Sequence, residues 1–216
     1  MNKWAIIIIV AAGLTACMSE SKTYNVKEEN FEWFTPDTIG TWFLMRDDNQ
    51  ITQSFLCSYI TNYYENSSGS FLSIKMKTTR RQTLYTEWES GYGSYFSLQV
   101  VAGEEPYGDV LTVTLNDMLF KYDLLKEDLF HVETPFGKLS KKKTNGEYVT
   151  EGTFLSEAEY LPVHMVGPAT YSQVMHLKMR DFQSQWGDYT ITDIYTAKFI
   201  GLVQITFSNG ITIRRI

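Results

Sequence analysis

From residue 31 onward, apolar and polar positions alternate with period two, and turn dipeptides interrupt the alternation at short intervals. Ile51, Gln53, Phe55, Cys57 and Tyr59 share one face of an extended segment, and most of them are apolar. The stretch 71–77 (FLSIKMK) alternates in the same way, behind a polar turn expected at 66–70. Residues 110–115 (VLTVTL) are rich in β-branched side chains and close at Asn116-Asp117; residues 118–125 start again at once, which predicts a hairpin. A further strand is predicted over 148–155, after the turn at Asn145-Gly146. The clearest pair is 202–207 with 211–213 around Ser208-Asn209-Gly210, because Asn-Gly is a strong two-strand turn signal. Helical periodicity is confined to short candidates, at Ser156 to Tyr160 and at Lys126-Glu127-Asp128. The pattern predicts an all-β fold over residues 31–216: one antiparallel domain of roughly ten to twelve strands in a curved, half-barrel or barrel-like sheet.

The first 30 residues read differently. Ala5 to Leu14 (AIIIIVAAGL) is apolar, with Lys3 as the one charge before Glu20. A spanning helix needs about 20 apolar residues. This run has instead the basic start, apolar middle and small-residue end of a secretory signal. Residues 18–30 (MSESKTYNVKEEN) are polar, and with Cys17 they read as a tether over 17–30.

Leu14-Thr15-Ala16-Cys17 resembles the lipobox of bacterial lipoproteins. The resemblance implies that residues 1–16 are a signal peptide and that Cys17 is acylated and becomes the first mature residue. A membrane partner then follows, held through acyl chains that each contribute about 0.8 kcal/mol per buried CH₂. In Gram-negative lipoproteins an Asp after the Cys marks inner-membrane retention; here Met18 and Ser19 follow, which implies the outer membrane of the cell envelope, with either face open. A second resemblance lies near the end of the chain. Residues 171–177 (YSQVMHL) and 194–203 (IYTAKFIGLV) are similar to the closing segment of secreted bacterial β-meander proteins with half-barrel folds. It implies a curved antiparallel sheet; the pattern itself requires only that Gly201 mark a bend or bulge.

Charge narrows the partners. With residues 1–16 removed, Lys3 goes with them and the formal net charge moves from −6 to −7. Nucleic acid is a poor partner for such a chain, and the one basic run, Lys141-Lys142-Lys143, reads as a solvated turn. Once Cys17 is lipidated, Cys57 stands alone and reads as a small buried apolar residue. His131, His164 and His176 have no metal-ligand spacing, and no cofactor motif is present in the sequence. Ser94 in Gly91-Tyr92-Gly93-Ser94 follows the second Gly, whereas a nucleophile elbow places it between two. The acid pairs Asp47-Asp48, Glu87 with Glu89 and Glu104-Glu105 could serve calcium or glycoside cleavage but are usual in solvated turns.

Residues 84–96 (LYTEWESGYGSYF) stand apart. Tyr85, Trp88, Tyr92 and Tyr95 accompany two acids and two glycines, and Trp186 beside Gly187-Asp188 is a further aromatic candidate. Rings beside hydrogen-bonding carboxylates suit a sugar, whose C–H faces are apolar and whose rim is hydroxyl. Alternate aromatics filling a core, with glycines at a hairpin tip, produce the same string. The expectation is a non-catalytic envelope lipoprotein that binds or scaffolds an envelope protein, a lipid-like ligand or a glycan. The alternatives are an envelope glycoside hydrolase with paired carboxylates, or a structural subunit of an outer-membrane assembly.

Overall fold

The computed structural model describes residues 21–34, 38–71, 74–104, 106–134, 137–145, 147–149, 156–179, 185–186 and 189–216. The chain enters through a short strand, β1 (Lys22–Tyr24), and a 3₁₀ helix (Glu28–Trp33). Strands β2 (Trp42–Arg46), β3 (Thr52–Phe71), β4 (Ile74–Ser90), β5 (Tyr95–Val101), β6 (Val110–Leu115), β7 (Met118–Asp123), β8 (Asp128–Thr134) and β9 (Gly137–Ser140) follow as a meander. A small separate ribbon pairs β10 (Lys142–Thr144) with β11 (Glu147–Val149). The last third supplies β12 (Glu157–Val166), β13 (Ala169–Lys178), β14 (Gln185–Trp186), β15 (Tyr189–Ala197), β16 (Gly201–Phe207) and β17 (Thr212–Arg215).

The main sheet runs in the order β12-β13-β15-β16-β17-β2-β3-β4-β5-β6-β7-β8-β9. Two local meanders are joined where β17 pairs with β2, so the last strand is zipped to the first third of the chain. All pairs in that path are antiparallel, and the sheet curls until β12 approaches β8 without pairing to it among the described residues. The fold is therefore an all-β curved sheet that does not close into a barrel.

Alternation explains the core. Across the sheet, Cys57, Trp88, Phe96, Leu115 and Met118 lie in register, and so do Leu84, Val100, Leu111, Tyr122 and Leu129. All ten are buried on the inner face. At about 1.5–3 kcal/mol per large apolar side chain, this face is the main source of stability. Val26 and Trp33 join the same core from the entry segment.

Three expectations are corrected here. Residues 22–30 of the expected tether are docked: β1 pairs with β4 in parallel, and Asp109 accepts from the Lys27 backbone N–H and the Asn30 side chain. Residues 66–70 continue β3 without a turn, because β4 stays paired with them as far as Phe71 opposite Ile74. The stretch 157–160 is strand, not helix, since β13 offers it a complete antiparallel partner. The strand count also exceeds the expectation, mainly through short elements of two to four residues such as β1, β10, β11 and β14. Cys17 and residues 150–155 of the strand expected over 148–155 lie outside the described residues.

Candidate functional site

On β4 the pattern splits the aromatic stretch between two faces. Leu84, Thr86 and Trp88 point inward and are fully buried, whereas Tyr85, Glu87 and Glu89 point outward. Trp88 is thus removed from any binding surface. It stacks on Phe96 at 5.2 Å and meets Phe43 edge-on at 6.3 Å. Tyr92 sits at the β4–β5 turn, 82% exposed, apart from the outward group. Trp186 lies on β14 beside β15, and four strands separate β15 from β4 in the sheet order. The structure therefore brings together only Tyr85 and Tyr95 of the five aromatic candidates.

These two converge on Glu87. Tyr85 donates to Glu87 Oε2, Tyr95 donates to the same oxygen at 3.3 Å, and Ser58 donates to Oε1 at 3.2 Å. The two phenol oxygens lie 2.5 Å apart. Burial, then the bonds to Glu87 and Tyr95, pushes the Tyr85 hydroxyl well above the usual tyrosine range. Asn116, in the β6–β7 turn with φ of 50°, holds the Tyr95 backbone from both sides: its N–H donates to the Tyr95 carbonyl and its Oδ1 accepts from the Tyr95 N–H. Tyr59 completes the group, 5.9 Å from Tyr85. Its presence is a second correction. A bulge between Cys57 and Tyr59 shifts the register, so Tyr59 leaves the Phe55–Cys57 face and stands opposite Glu87.

The outward face continues across β5. Gln99 lies opposite Tyr85, and a groove of about 410 Å³ opens beyond it over β5, β6 and β7. Its rings are Tyr107, Phe130 and Tyr148; its polar groups include Arg81, Gln99 and Lys121. Phe130 is the extra residue of a bulge opposite Lys121 and Tyr122, and Tyr148 of the β10–β11 ribbon stacks on it at 4.3 Å with 6° between the planes. Burial, followed by the nearby carboxylates Asp123 and Asp128, pushes the Tyr148 hydroxyl up to about 12. Tyr148 therefore stays a neutral hydrogen-bonding phenol at any ordinary pH.

The wall of this groove is the loop between β5 and β6. Gly103 and Gly108 cross so closely that a Cβ on Gly103 would stand 2.0 Å from the Gly108 carbonyl oxygen, so only glycine fits. Asp109 locks the loop: Oδ1 accepts from Gly103 N at 2.8 Å, and Oδ2 accepts from Lys27 N and Asn30 Nδ2, each at 2.8 Å. Glu104 is engaged as well, accepting from the Tyr24 hydroxyl at 2.7 Å and from Arg81 at 3.1 Å. A second groove of about 480 Å³ lies on the other side of this loop, between it and the entry segment, and shares Glu104 and Tyr107 with the first.

A separate polar cluster occupies the other half of the sheet. The Tyr195 ring is sandwiched between His164 at 4.2 Å and His176 at 4.1 Å, and His176 bonds Asp193 at 2.7 Å. Its three rings come from β12, β13 and β15, so only strand register reveals the stack. Among the described residues, no three His, Cys, Asp or Glu side chains converge as a metal site.

Comparison with protein-family models, curated proteins and solved structures finds no match. The site must be read from its own chemistry.

Proposed function

We propose that this chain is a non-catalytic, lipid-anchored envelope protein that binds a glycan in the tyrosine-lined groove of its outer sheet face. One observation carries the reading: Tyr107, Phe130 and Tyr148 present rings beside Arg81, Gln99 and Lys121 in an open groove of about 410 Å³. Rings cover the C–H faces of a sugar, while guanidinium, amide and ammonium groups bond its hydroxyls or acidic substituents. The volume falls in the range of small-ligand sites, about 300–1,000 Å³.

Two further features support this reading, one against cleavage and one against an interior ligand. Among the described residues of the loop, Asp109 is enclosed by three N–H donors and Glu104 by Tyr24 and Arg81, so these two acids are committed to holding the loop. The inner face is filled by Trp88, Phe55, Phe96 and Phe120, each at most 1% exposed, which favours the outer groove over an interior lipid cavity as the ligand site. The anchor follows from the lipobox resemblance at Cys17.

The test is affinity electrophoresis of the full chain through gels containing neutral or acidic bacterial polysaccharides. Retardation by at least one, reversed by its free oligosaccharides, is the expected result. Unretarded migration in every gel would overturn the glycan reading.

A further inference from the structure

The loop between β5 and β6 is a rib between two grooves of similar make. Glu104 and Tyr107 of the loop line both of them. On one side, over about 410 Å³, Tyr107 is joined by Phe130 and Tyr148, with Arg81 and Lys121 for charge. On the other, over about 480 Å³, it is joined by Tyr24, with Lys22 and Lys27. Rings beside cations therefore occur twice, once on each side of a single loop. Tyr24 and Arg81 tie the two sides together. They stand opposite each other on β1 and β4, the guanidinium lies 5.3 Å from the centre of the Tyr24 ring, and both donate to Glu104.

The rib is fixed before any ligand arrives. Gly103 and Gly108 cross with no room for a Cβ, and Asp109 accepts from Gly103 N, Lys27 N and the Asn30 amide. One carboxylate thus sets the loop and the entry segment, which is the far wall of the second groove, against each other. A surface already held in one shape loses less freedom when a ligand settles on it.

Charge indicates what crosses the rib. The chain as a whole carries −6. Among the described residues of the two grooves, the cations are Lys22, Lys27, Arg81 and Lys121, and the acids are Glu104 and Asp109. Both acids already accept from protein donors. The ammonium groups of Lys22, Lys27 and Lys121 enter no ion pair among the described residues. Lys22 is exposed, whereas Lys27 and Lys121 are half-buried. Half-burial strips water from an ammonium group without giving it a carboxylate in return, which favours an anion from outside.

We propose that the bound glycan is a polyanionic chain that crosses the rib at Glu104 and Tyr107 and seats acidic units, carboxylate or phosphodiester, in both grooves. This rests on the glycan reading of the first groove. A repeating acidic polymer presents apolar ring faces and anions at intervals, and the two grooves present rings and cations in the same repetition.

The experiment runs the full chain through gels containing alginate, polygalacturonate or a phosphodiester-linked mannan. Beside them run the carboxyl-reduced forms of the first two and an unphosphorylated mannan, with polyglutamate as an acid without sugar. Retardation by at least one acidic glycan is expected, several-fold weaker in its neutral counterpart and in high salt, and absent with polyglutamate. Which gel retards the chain tells carboxylate from phosphodiester. Titration then compares the trisaccharide of the retarding polymer with its long oligomers, which should bind roughly tenfold tighter or more because they reach both grooves. Lys22→Ala with Lys27→Ala should weaken the long oligomers roughly three- to tenfold and leave the trisaccharide unchanged, whereas Lys121→Ala should weaken both. The Asp109 clamp survives in that double variant, since it takes the backbone N–H of Lys27, and an unchanged melting temperature checks this. Equal retardation by an acidic glycan and its neutral counterpart, or by neutral glycans alone, overturns the proposal and leaves the first groove a glycan site. Equal retardation by polyglutamate overturns it as bare charge attraction. Long oligomers that bind no tighter than the trisaccharide, or that ignore the Lys22 and Lys27 substitutions, overturn it too. Unretarded migration in every gel removes this proposal together with the glycan reading.

Discussion

Trp88→Ala separates a core indole from a binding platform by stability alone. Trp88 is fully buried, stacked on Phe96 and edge-on to Phe43, with Cys57 opposite it on β3. Phe43 itself stacks on Phe55 at 5.1 Å, so the indole is the middle of a four-ring cluster spanning β2 to β5. Truncation leaves a large cavity lined by rings that cannot all collapse into it, at a cost of about 3–5 kcal/mol. For a domain of this size, about 2–4 °C of Tm per kcal/mol gives a fall of roughly 6–20 °C. Urea unfolding followed by far-ultraviolet circular dichroism measures the first figure, and differential scanning calorimetry the second. Tyr92→Ala, at an 82% exposed position in the adjacent turn, is the control and should stay within about 0.5 kcal/mol of the parent. A Trp88→Ala loss below about 1 kcal/mol would refute the packing argument.

Other outcomes follow from the same geometry. Asp109→Ala strands the N–H groups of Lys27, Gly103 and Asn30, so it should cost about 2–5 kcal/mol. Hydrogen exchange should then quicken in residues 22–34 well before the sheet; uniform protection would refute the clamp. Tyr148 and Tyr195, each pushed up to about 12, are neutral in the folded state at a pH where the unfolded chain, titrating near 10, is already ionised. Their stabilising contribution is whole below pH about 10 and is lost as pH rises toward about 12. Phenolate absorbance should therefore lag in the folded protein, with unfolding free energy falling over that window; a flat stability profile there would contradict it. Cys17→Ser should abolish palmitate incorporation and leave the chain unprocessed or released to the soluble envelope fraction. Parent and variant that are both unlabelled, with identical partitioning, would remove the anchor.

The all-β class was legible because alternation, β-branched runs and Asn-Gly turns agree along most of the chain, as at 110–123 and 201–215. What stayed hidden depends on partners distant in sequence. Residues 22–30 look like a tether because most of them are polar; their order comes from Asp109, about 80 residues away, which no local pattern announces. The string around Trp88 was compatible with platform and core, and only the pleat shows that Tyr85 and Trp88, three apart, face opposite sides. Alternation alone places Tyr59 with Phe55 and Cys57, and one bulge reverses its face. Tyr107, Phe130 and Tyr148 are scattered over three segments, and the groove exists only once the meander and the β10–β11 ribbon set them side by side. The β11 residue could have been suspected from the Asn145-Gly146 turn that carries it; Phe130 and Tyr107 left no such signal.

Calorimetric titration of a retarding oligosaccharide into the full chain tests glycan binding in the groove most directly. Saturable one-site binding is predicted, with the sugar recovered at unchanged length, and Tyr148→Ala should weaken it by about 1–2 kcal/mol in a chain of near-parental stability. Undiminished binding by Tyr148→Ala, or a shortened sugar after incubation, would contradict the account.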